Sequence, residues 1–308
     1  MFLSNLHTHT LFSDGASTCE EYIQHAIKHG FVSLGFSEHQ PTIYNCSVEI
    51  TQENIPIYIN KVNELKKKYA HELEVLLGME IDVYGINNNV NYKKNLELDY
   101  TIGSVHYLKT PNGYMSVDHN TTTFNNLIQA LNGIKNVAYE YYSQVINVCK
   151  FKPTILGHID LITKFNGDYD ENKFFGENEK WYTDITNDIV KEISKTDVIV
   201  EINTGAMSRG YRKLPYPHHY ILQTLNNYNV PITISSDAHH HSNLNYGFTI
   251  AVALAKEAGY KSIKQYKNKN FIDLVIWSLQ KHEEIYVDFF GIFLWFLVDF
   301  LGFIPKKS

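Results

Sequence analysis

Arginine, cysteine and tryptophan are all scarce in this sequence. Of its 308 residues only Arg209 and Arg212 are arginine, although lysine is used throughout. The three cysteines, Cys19, Cys46 and Cys149, are odd in number and form no C-x-x-C pair, and no signal-peptide pattern precedes them. These absences exclude a disulfide framework and indicate a reducing compartment, so we expect a cytoplasmic protein.

The chain also lacks a strong charge of either sign. Its formal net charge is −6 at pH 7, charged residues make up 19%, and the longest basic run is Lys66–Lys68. Proteins that hold a nucleic-acid backbone normally carry a basic face, so we expect no nucleic-acid partner. With 44% hydrophobic residues, the chain can bury a sizeable core.

Short apolar runs rich in β-branched residues alternate with longer helical patterns, which is typical of βα units around a parallel sheet. Seven strands are predicted, over 2–6, 32–37, 73–79, 100–105, 154–157, 198–202 and 232–235. Helices are predicted over 18–28, 53–69, 122–149, 181–195, 218–227 and 248–258. No repeat or low-complexity linker breaks the first 270 residues, so we expect one barrel-like domain.

The end of the sequence has a different composition. Residues 289–304 are apolar on every side apart from Asp299, and the run is shorter than the roughly 20 residues that span a bilayer. We expect residues 275–308 to form an extension of unknown role. A helix docked on the domain or in a subunit contact, as in a homodimer, is favoured. A membrane-surface anchor and a non-native extension are the alternatives.

Imidazole and carboxylate side chains follow most of the predicted strands at the point where each strand ends. His7 and His9 are two apart on an extended segment, so both side chains leave the same face and can reach one cation. The carboxyl ends of parallel strands meet at the face where barrels build their sites, so the whole set is expected to converge. Its members are His7, His9, Asp14, His39, Glu80, His106, His158, Asp237 and His239.

A convergent set of this kind predicts a metal centre. Buried carboxylates need a cation or hydrogen-bond donors, and buried neutral histidines rarely cluster. The set exceeds what one tetrahedral ion needs, so two or three divalent metals are expected. Imidazole with carboxylate and no thiolate suits Zn²⁺, Mn²⁺ or Fe²⁺. Glu80, in the middle of the barrel, is the predicted bridging and catalytic carboxylate.

The residues around these ligands form recognisable motifs. In chain order they are HTHT at 7–10, SEH at 37–39, GMEID at 78–82, GSVHYL at 103–108, GHIDLI at 157–162, EINTGAMSRGYR at 201–212, PYP at 215–217 and SSDAH at 235–239. Over roughly residues 1–274, this set resembles the histidinol-phosphatase branch of the PHP (polymerase and histidinol phosphatase) family. Residues 1–274 are therefore expected to be the catalytic domain.

The resemblance implies a distorted (β/α)7 TIM-like barrel with the metal site at the C-terminal ends of its strands. It also implies hydrolysis of L-histidinol phosphate to L-histidinol and phosphate, in histidine biosynthesis, by attack of a metal-bridged hydroxide. Relatives vary at the position of Asp14. The implied ligand sets are His7, His9, Glu80 and Asp237 for one metal, Glu80, His106 and His158 for a second, and Asp14, His39 and His239 for a third.

Two kinds of side chain are expected to act on the phosphate ester besides the metal ligands. A guanidinium binds phosphate through two parallel donors, so Arg209 and Arg212 are candidate phosphate-binding residues. The alternative for both is surface salt bridging. Asp160, two residues beyond His158, is the candidate acid for the leaving group, and the alternative is that it orients a metal-bound histidine.

Other functions of the same metal barrel stay open as alternatives. Relatives act on nucleotides, nucleic acid or phosphotyrosine, and a metal-binding module without activity is a further possibility. The motifs GSVH and EINTG and the absence of extra domains favour a small phosphomonoester as the partner. His240 and His241 either contact substrate or are only part of the loop. The histidines predicted to lie on the surface are His25, His29, His71, His119 and His282.

Overall fold

Strands and helices alternate along the chain. A computed structural model describes residues 3–44, 46–85, 92–167 and 171–276. Its strands are β1 (Leu3–Asn5), β2 (Phe31–Phe36), β3 (Glu74–Leu77), β4 (Glu80–Asp82), β5 (Ile102–Ser104), β6 (Tyr107–Thr110), β7 (Gly113–Ser116), β8 (Ile155–Leu156), β9 (Ile199–Asn203), β10 (Ile232–Ser235), β11 (Ser262–Lys267) and β12 (Asn270–Val275).

The inner strands form two parallel sheets. One has the order β1-β2-β3 and the other the order β10-β9-β8-β5-β4. Isolated parallel bridges join Thr8 to Ala238 and His39 to Glu80, so the segments that follow β1 and β2 reach the loop after β10 and the start of β4, two strands of the second sheet. The predicted mixed α/β class with parallel strands is therefore confirmed.

Helices connect most of these strands. They are α1 (Cys19–Lys28), α2 (Ile55–Lys68), α3 (Tyr92–Asn95), α4 (Thr121–Ala130), α5 (Ile134–Cys149), α6 (Lys180–Ile193), α7 (Gly205–Ser208), α8 (His219–Asn227) and α9 (Phe248–Glu257). The single helix predicted over 122–149 was wrong, since it divides into α4 and α5. Asn132 and Gly133 separate them with positive φ angles of 58° and 122°, which a helix cannot contain.

Two antiparallel hairpins were not predicted. They are β6 with β7 and β11 with β12. The predicted strand over 73–79 also ends early, at Leu77, and Glu80 opens the separate strand β4. Thus Glu80 begins a strand instead of ending one, although it still lies beside the end of β2.

The first helix shows how local sequence positions a loop of the site. Thr18 and Glu21 form a capping box in which each side chain accepts a hydrogen bond from the other residue's backbone N–H. The buried face follows the helical spacing, with Cys19, Tyr22, Ile23 and Ala26. The Tyr22 hydroxyl donates to the carbonyl of Ala238 at 2.7 Å, which ties α1 to the loop after β10.

A buried tyrosine fills the space among the strands of both sheets. The hydroxyl of Tyr100 donates to the carbonyl oxygens of Leu6 and Phe36, at 2.5 and 3.0 Å. Its ring lies so close to Gly35 and Gly78 that a Cβ atom at either glycine would collide with it. Together with Tyr100, the members of this small apolar cluster are Leu6, Leu76, Ile102 and Ile155.

Residues 2–276 form one compact unit. Within the part of the chain that the structure describes, no helix is long and apolar enough to cross a membrane. The predicted apolar run over 289–304 and most of the predicted extension over 275–308 lie outside the described residues. Their role and the domain boundary stay predictions.

Candidate metal centre

The structure brings all nine predicted metal ligands together. His7 and His9 follow β1, His39 follows β2, Glu80 opens β4, and the others follow β5, β8 and β10 or, for Asp14, lie in the loop before α1. Each of the nine belongs to at least one group of three or more residues whose possible ligand atoms lie within 4.8 Å of one another. The parallel strands therefore place a dense set of metal-ligand atoms at one end of the sheets.

Four buried atoms form the inner group. The Nε2 atom of His7 lies 3.3 Å from Glu80 Oε2 and 3.7 Å from Asp237 Oδ1. The Nε2 atom of His9 lies 3.5 and 3.3 Å from the same two oxygens. Two imidazoles and two carboxylates at such separations can share one cation.

The second oxygen of Glu80 faces a different pair of histidines. Glu80 Oε1 lies 3.0 Å from His158 Nε2 and 3.5 Å from His106 Nε2. One carboxylate is thus placed between two groups of imidazoles, which is the arrangement a bridging ligand requires.

The outer group surrounds Asp14. Its Oδ1 atom lies 3.6 Å from His39 Nε2, and its Oδ2 atom lies 3.2 Å from His239 Nε2. The other ring nitrogen of His39, Nδ1, lies 2.9 Å from Glu80 Oε2. His39 therefore connects the outer group with the central carboxylate.

Three atoms of the inner group are buried without a hydrogen-bond partner among the described residues. They are His7 Nε2, His9 Nε2 and Glu80 Oε2, the last of which also lies 2.9 Å from His39 Nδ1. Buried polar atoms are normally paired, and each unpaired one costs free energy. The close approach of these three atoms fits a bound divalent ion.

Burial and charged neighbours together shift the pKa of several members of the centre. The imidazoles of His7 and His39 outweigh burial at Glu80 and hold the pKa of its carboxyl well below the usual range. Burial and the neighbouring His39 lower the pKa of His9 to about 3. At His39 the Glu80 carboxylate outweighs burial and raises the pKa to about 10. Glu80 is therefore ionised and His9 is neutral, which are the forms that bind metals, whereas His39 carries a proton that a bound ion would displace.

Three carboxylates hold the candidate ligands in place, and sequence reasoning missed two of them, Glu201 and Asp82. Glu201 Oε1 lies 2.6 Å from His7 Nδ1, and Glu201 Oε2 accepts the backbone N–H of His158 at 2.9 Å. Asp82 Oδ2 accepts the backbone N–H of His106 at 2.8 Å and lies 3.1 Å from its Nδ1.

Glu38, the third of these carboxylates, accepts the backbone N–H and the hydroxyl of Thr10 beside His9. A carboxylate partner fixes the orientation of a metal-binding imidazole. A glutamate inside the otherwise apolar strand β9 was the available signal for Glu201.

A pocket of about 670 Å³ opens onto the centre. Glu80 and Asp237 line it with the outer ligands, and Tyr107 and Tyr114 line it as well. Lys164, which sequence reasoning also missed, lines the pocket and donates to the carbonyl oxygen of Asp118 at 2.7 Å. No sequence signal distinguishes this lysine from the many others.

Of the two arginines, Arg209 lies in the pocket wall. Its Nη1 and Nη2 groups donate to the carbonyl and carboxylate oxygens of Asp237, both at 2.9 Å. Asp237 itself has a left-handed backbone, with φ of 48°, an uncommon conformation that aspartate tolerates. The guanidinium thus holds an unusual turn at a candidate ligand.

Arg212 lies away from this pocket. Its guanidinium is 2% exposed and binds both carboxylate oxygens of Glu177, at 2.9 and 3.0 Å. It also donates to the carbonyl oxygen of Thr163 at 2.7 Å. These contacts join two loops inside the protein.

Asp160 is also buried and does not line the pocket. Its carboxylate accepts hydrogen bonds from the hydroxyls of Tyr142 and Tyr182 and from the backbone N–H of His218. Burial, with a contribution from Glu177, raises the pKa of Asp160 to about 6. These contacts tie the segment after β8 to α5, α6 and the start of α8, and none of the three is with a candidate metal ligand.

The fold and this site define an α/β protein with a candidate metal centre at the carboxyl ends of its parallel strands. The chain belongs to the PHP domain family, whose model matches residues 5–205. The predicted family is therefore confirmed. Seven of the nine candidate ligands lie in the matched range, and Asp237 and His239 lie beyond it.

Individual relatives extend the likeness over most of the chain. The histidinol-phosphatase of Bacillus subtilis (strain 168) is 28% identical over 262 residues, which cover 79% of this chain and 95% of the relative. A solved structure from Listeria monocytogenes, provisionally assigned as the histidinol phosphatase HisK, has a TM-score of 0.69 and 23% identity and covers 80% of this chain and 99% of its own.

A second solved structure is the histidinol phosphate phosphatase HisK of Lactococcus lactis subsp. lactis Il1403, in complex with zinc, L-histidinol and phosphate. It has a TM-score of 0.63 and 19% identity, and the match covers 87% of this chain and 98% of that one. At such identities, the two solved structures show that the fold is shared.

Proposed function

We propose that the protein is a metal-dependent phosphatase that converts L-histidinol phosphate to L-histidinol and phosphate, a reaction of histidine biosynthesis. The observation that carries the proposal is the convergence of buried donor atoms from His7, His9, Glu80 and Asp237 beside a pocket that also contains Arg209. The name of the Bacillus subtilis relative and the ligands of the Lactococcus lactis structure support this substrate.

The donor groups support two or three divalent ions, of which zinc is present in the Lactococcus lactis structure. We propose the inner group for one ion and Glu80 with His106 and His158 for another. The outer group of Asp14, His39 and His239 would hold a third. Bound there, such ions would lower the pKa of water and offset negative charge on a phosphoryl group.

Arg209 is the side chain we assign to the phosphate. Two of its five N–H donors are used, on the carbonyl and carboxylate oxygens of Asp237. His239 Nδ1 lies 3.1 Å from Nη1 but also 3.0 Å from the Asp237 carbonyl oxygen, to which it must donate when Nε2 binds a metal ion. The remaining three donors therefore have no acceptor among the described residues and are available to an anion in the pocket. A phosphoryl group there would be held by charge-assisted bonds.

Arg212 and Asp160 are given positioning roles instead. Arg212 donates hydrogen bonds to Glu177 and Thr163, so we propose that it fixes the loop that also carries Arg209. Asp160 accepts three hydrogen bonds in the interior, which supports a role in placing His158 and not proton transfer to the leaving group.

The finer architecture is also a proposal. With β3 and β4 counted as one interrupted strand, the eight strands of the two sheets give seven strand positions, and the bridges Thr8–Ala238 and His39–Glu80 connect the two sheets. This sequence of neighbours supports the distorted (β/α)7 barrel, with residues 1–274 as the catalytic domain.

A substrate comparison tests the function. Protein purified without chelator is assayed for phosphate release from L-histidinol phosphate, a nucleoside monophosphate and a phosphotyrosine peptide, each with added Zn²⁺ or Mn²⁺. We expect the highest kcat/KM with L-histidinol phosphate. A preference for the nucleotide or the peptide by tenfold or more would reject this substrate while retaining a phosphatase.

A further inference from the structure

Four histidines form a second cluster on the outside of the protein, which we name the outer histidine cluster: His25, His29, His240 and His241. His25 and His29 are one helical turn apart, at the end of α1, and their rings stack with centroids 4.0 Å apart. His241 begins a short 3₁₀ helix, His241–Asn243, and its ring centroid is 5.6 Å from that of His25. Segments more than 200 residues apart therefore bring their imidazoles together.

The ring centroids of this cluster are spaced like those of the candidate metal centre. There, the ring centroids of His7 and His9 are 5.2 Å apart, and those of His9 and His39 are 4.2 Å apart in a stacked pair. The separations in the outer histidine cluster are 5.6 and 4.0 Å. Its ring nitrogens do not all lie within 4.8 Å of one another, so side-chain rotation must direct them at one ion.

Hydrogen bonds in the outer cluster leave one particular nitrogen of each ring for a ligand. His29 Nδ1 lies 2.9 Å from the carbonyl oxygen of His25, to which it can only donate, so its Nε2 is the metal-binding nitrogen. His241 Nδ1 lies 2.9 Å from Ser17 Oγ. The Nε2 atom of His25 is buried and has no partner among the described residues.

We propose that His25, His29 and His241 form a separate site for a late first-row divalent cation such as Zn²⁺ or Ni²⁺. Three imidazoles without a thiolate favour these ions, since imidazole nitrogen suits zinc, copper and nickel. The ring of His240 lies beside that of His241, with centroids 4.3 Å apart, but it is the His241 ring that contacts His25, so we leave His240 outside the ligand set.

The position of the site gives it a structural consequence. His241 is two residues from His239, and the carbonyl of His239 accepts the backbone N–H of Ala16 at 2.6 Å. A cation bound by all three side chains would fasten α1 to the loop that carries Asp237 and His239. The site is distinct from the substrate pocket, whose walls contain none of its three ligands.

Metal counting on full-length protein tests the proposal. Wild type, His25→Ala/His29→Ala and the matched surface control His71→Ala are dialysed to equilibrium against Ni²⁺, and bound nickel and zinc are measured per chain. We expect the double variant to bind one equivalent less than wild type and His71→Ala to bind as wild type does. Phosphate release should stay unchanged in all three, which shows that the catalytic ions are retained.

A single substitution at an exposed residue distinguishes loss of the site from misfolding. His29→Ala removes one ligand without opening the interior, and Ni²⁺ should no longer shield His25 from carbethoxylation in this variant, as read by mass spectrometry. Equal metal content in wild type, the double variant and His29→Ala would overturn the proposal. The same conclusion follows if His71→Ala loses the equivalent instead.

Discussion

At the scale of single residues, Glu80 connects most of the candidate metal centre. One of its oxygens lies near the ring nitrogens of His7, His9 and His39, and the other faces His106 and His158. A neutral side chain of the same shape would keep the packing but remove the negative charge that both groups share. A substitution at Glu80 can therefore distinguish a packing role of this residue from a chemical one.

We expect Glu80→Gln to fold normally but to lose metal and nearly all phosphate release. Loss of a group that only supports a metal ligand already costs about ten- to a hundredfold, so the fall should be at least a hundredfold. Metal analysis and kcat on the same sample measure it. Glu49→Gln is the matched control, because Glu49 also lines the pocket but bonds to Thr42. A Glu80→Gln protein with full metal content and full turnover would remove the bridging assignment.

Replacement by lysine should have different effects at Arg209 and at Arg212. Arg209→Lys keeps the charge but loses the guanidinium fork, and charge-assisted bonds are worth roughly 1.5–3 kcal/mol, so kcat/KM should fall about ten- to a hundredfold. Inhibition by inorganic phosphate should weaken in parallel, with the metal content unchanged. If metal is lost instead, the contact of Arg209 with Asp237 is the one that matters.

Arg212→Lys serves as the comparison for that experiment. It should lower the free energy of unfolding by about 1–3 kcal/mol, because a buried carboxylate of Glu177 loses one of two parallel bonds. The kcat/KM of the folded variant should stay near the wild-type value.

At the scale of elements, close approach between strands and the Tyr100 ring determines how the sheets pack. Gly35 lies in β2 and Gly78 follows β3, and at each the missing side chain makes room for the ring. The hydroxyl then reaches carbonyl oxygens of Leu6 and Phe36, near the ends of β1 and β2. Because these contacts fix the ends of β1 and β2, they also fix the histidines that follow these strands.

Gly35→Ala should destabilise the protein by about 1–3 kcal/mol, since the added methyl group overpacks the interior against Tyr100. Urea unfolding followed by circular dichroism measures the change. Gly176→Ala is the matched control, because a Cβ there would meet only the flexible Glu179 side chain, at 3.1 Å or more. Equal stabilities for the two variants would contradict this account of the packing.

His218, at the start of α8, should make the free energy of unfolding depend on pH. Burial lowers the pKa of His218 to about 4 from an ordinary value of 6.5, with nearby Glu177 opposing and Arg212 and His219 adding to the effect. Between about pH 6.5 and 4, His218 is therefore protonated in the unfolded chain but neutral in the folded protein. The free energy of unfolding from this group falls as the pH is lowered through that window.

His218→Asn keeps a side-chain cap for α8 but removes the titrating ring. Its free energy of unfolding should change less steeply between pH 6.5 and 4, by up to about 1.4 kcal/mol per pH unit. Urea unfolding of both proteins at several pH values measures the slopes. Parallel curves for wild type and variant would show that His218 does not carry this dependence.

At the scale of the whole molecule, the candidate ligands span residues 7–239, so the centre can form only when both ends of the domain are present. The hairpin of β11 and β12 packs beyond the last ligand, where Ile263 is buried and the Ser33 hydroxyl donates to the carbonyl of Tyr266 at 2.7 Å. Integrity of the site thus depends on packing far from it in sequence.

A chain that ends at Glu284 should keep the metal content and phosphate release of the full-length protein, because all proposed ligands and the hairpin are retained. A chain that ends at Gly259 is the contrasting variant and should unfold more easily, since it loses the contacts of Ile263 and Tyr266. Metal analysis and thermal unfolding compare the three. Loss of metal from a folded chain ending at Glu284 would move the domain boundary beyond that residue.

Much of this architecture could be predicted because its signals are local. The alternation of apolar runs with helical patterns located the parallel strands, and the helical pattern over 18–28 located α1 (Cys19–Lys28). The nine candidate ligands could be chosen because parallel strands bring their carboxyl ends together, whatever the loops do. By itself the sequence therefore determined the α/β class, the set of residues that converge, and the family resemblance.

Tertiary structure decided the features that depend on partners distant in the chain. It separated Arg209 in the pocket wall from Arg212 on buried Glu177, although the two lie three residues apart in one loop. It turned Asp160 towards Tyr142 and Tyr182 and placed Glu201 behind His7. Residue spacing reports which side chains share a strand or a helix face. Which of them lose water and meet each other depends on how strands and loops far apart in the sequence pack together.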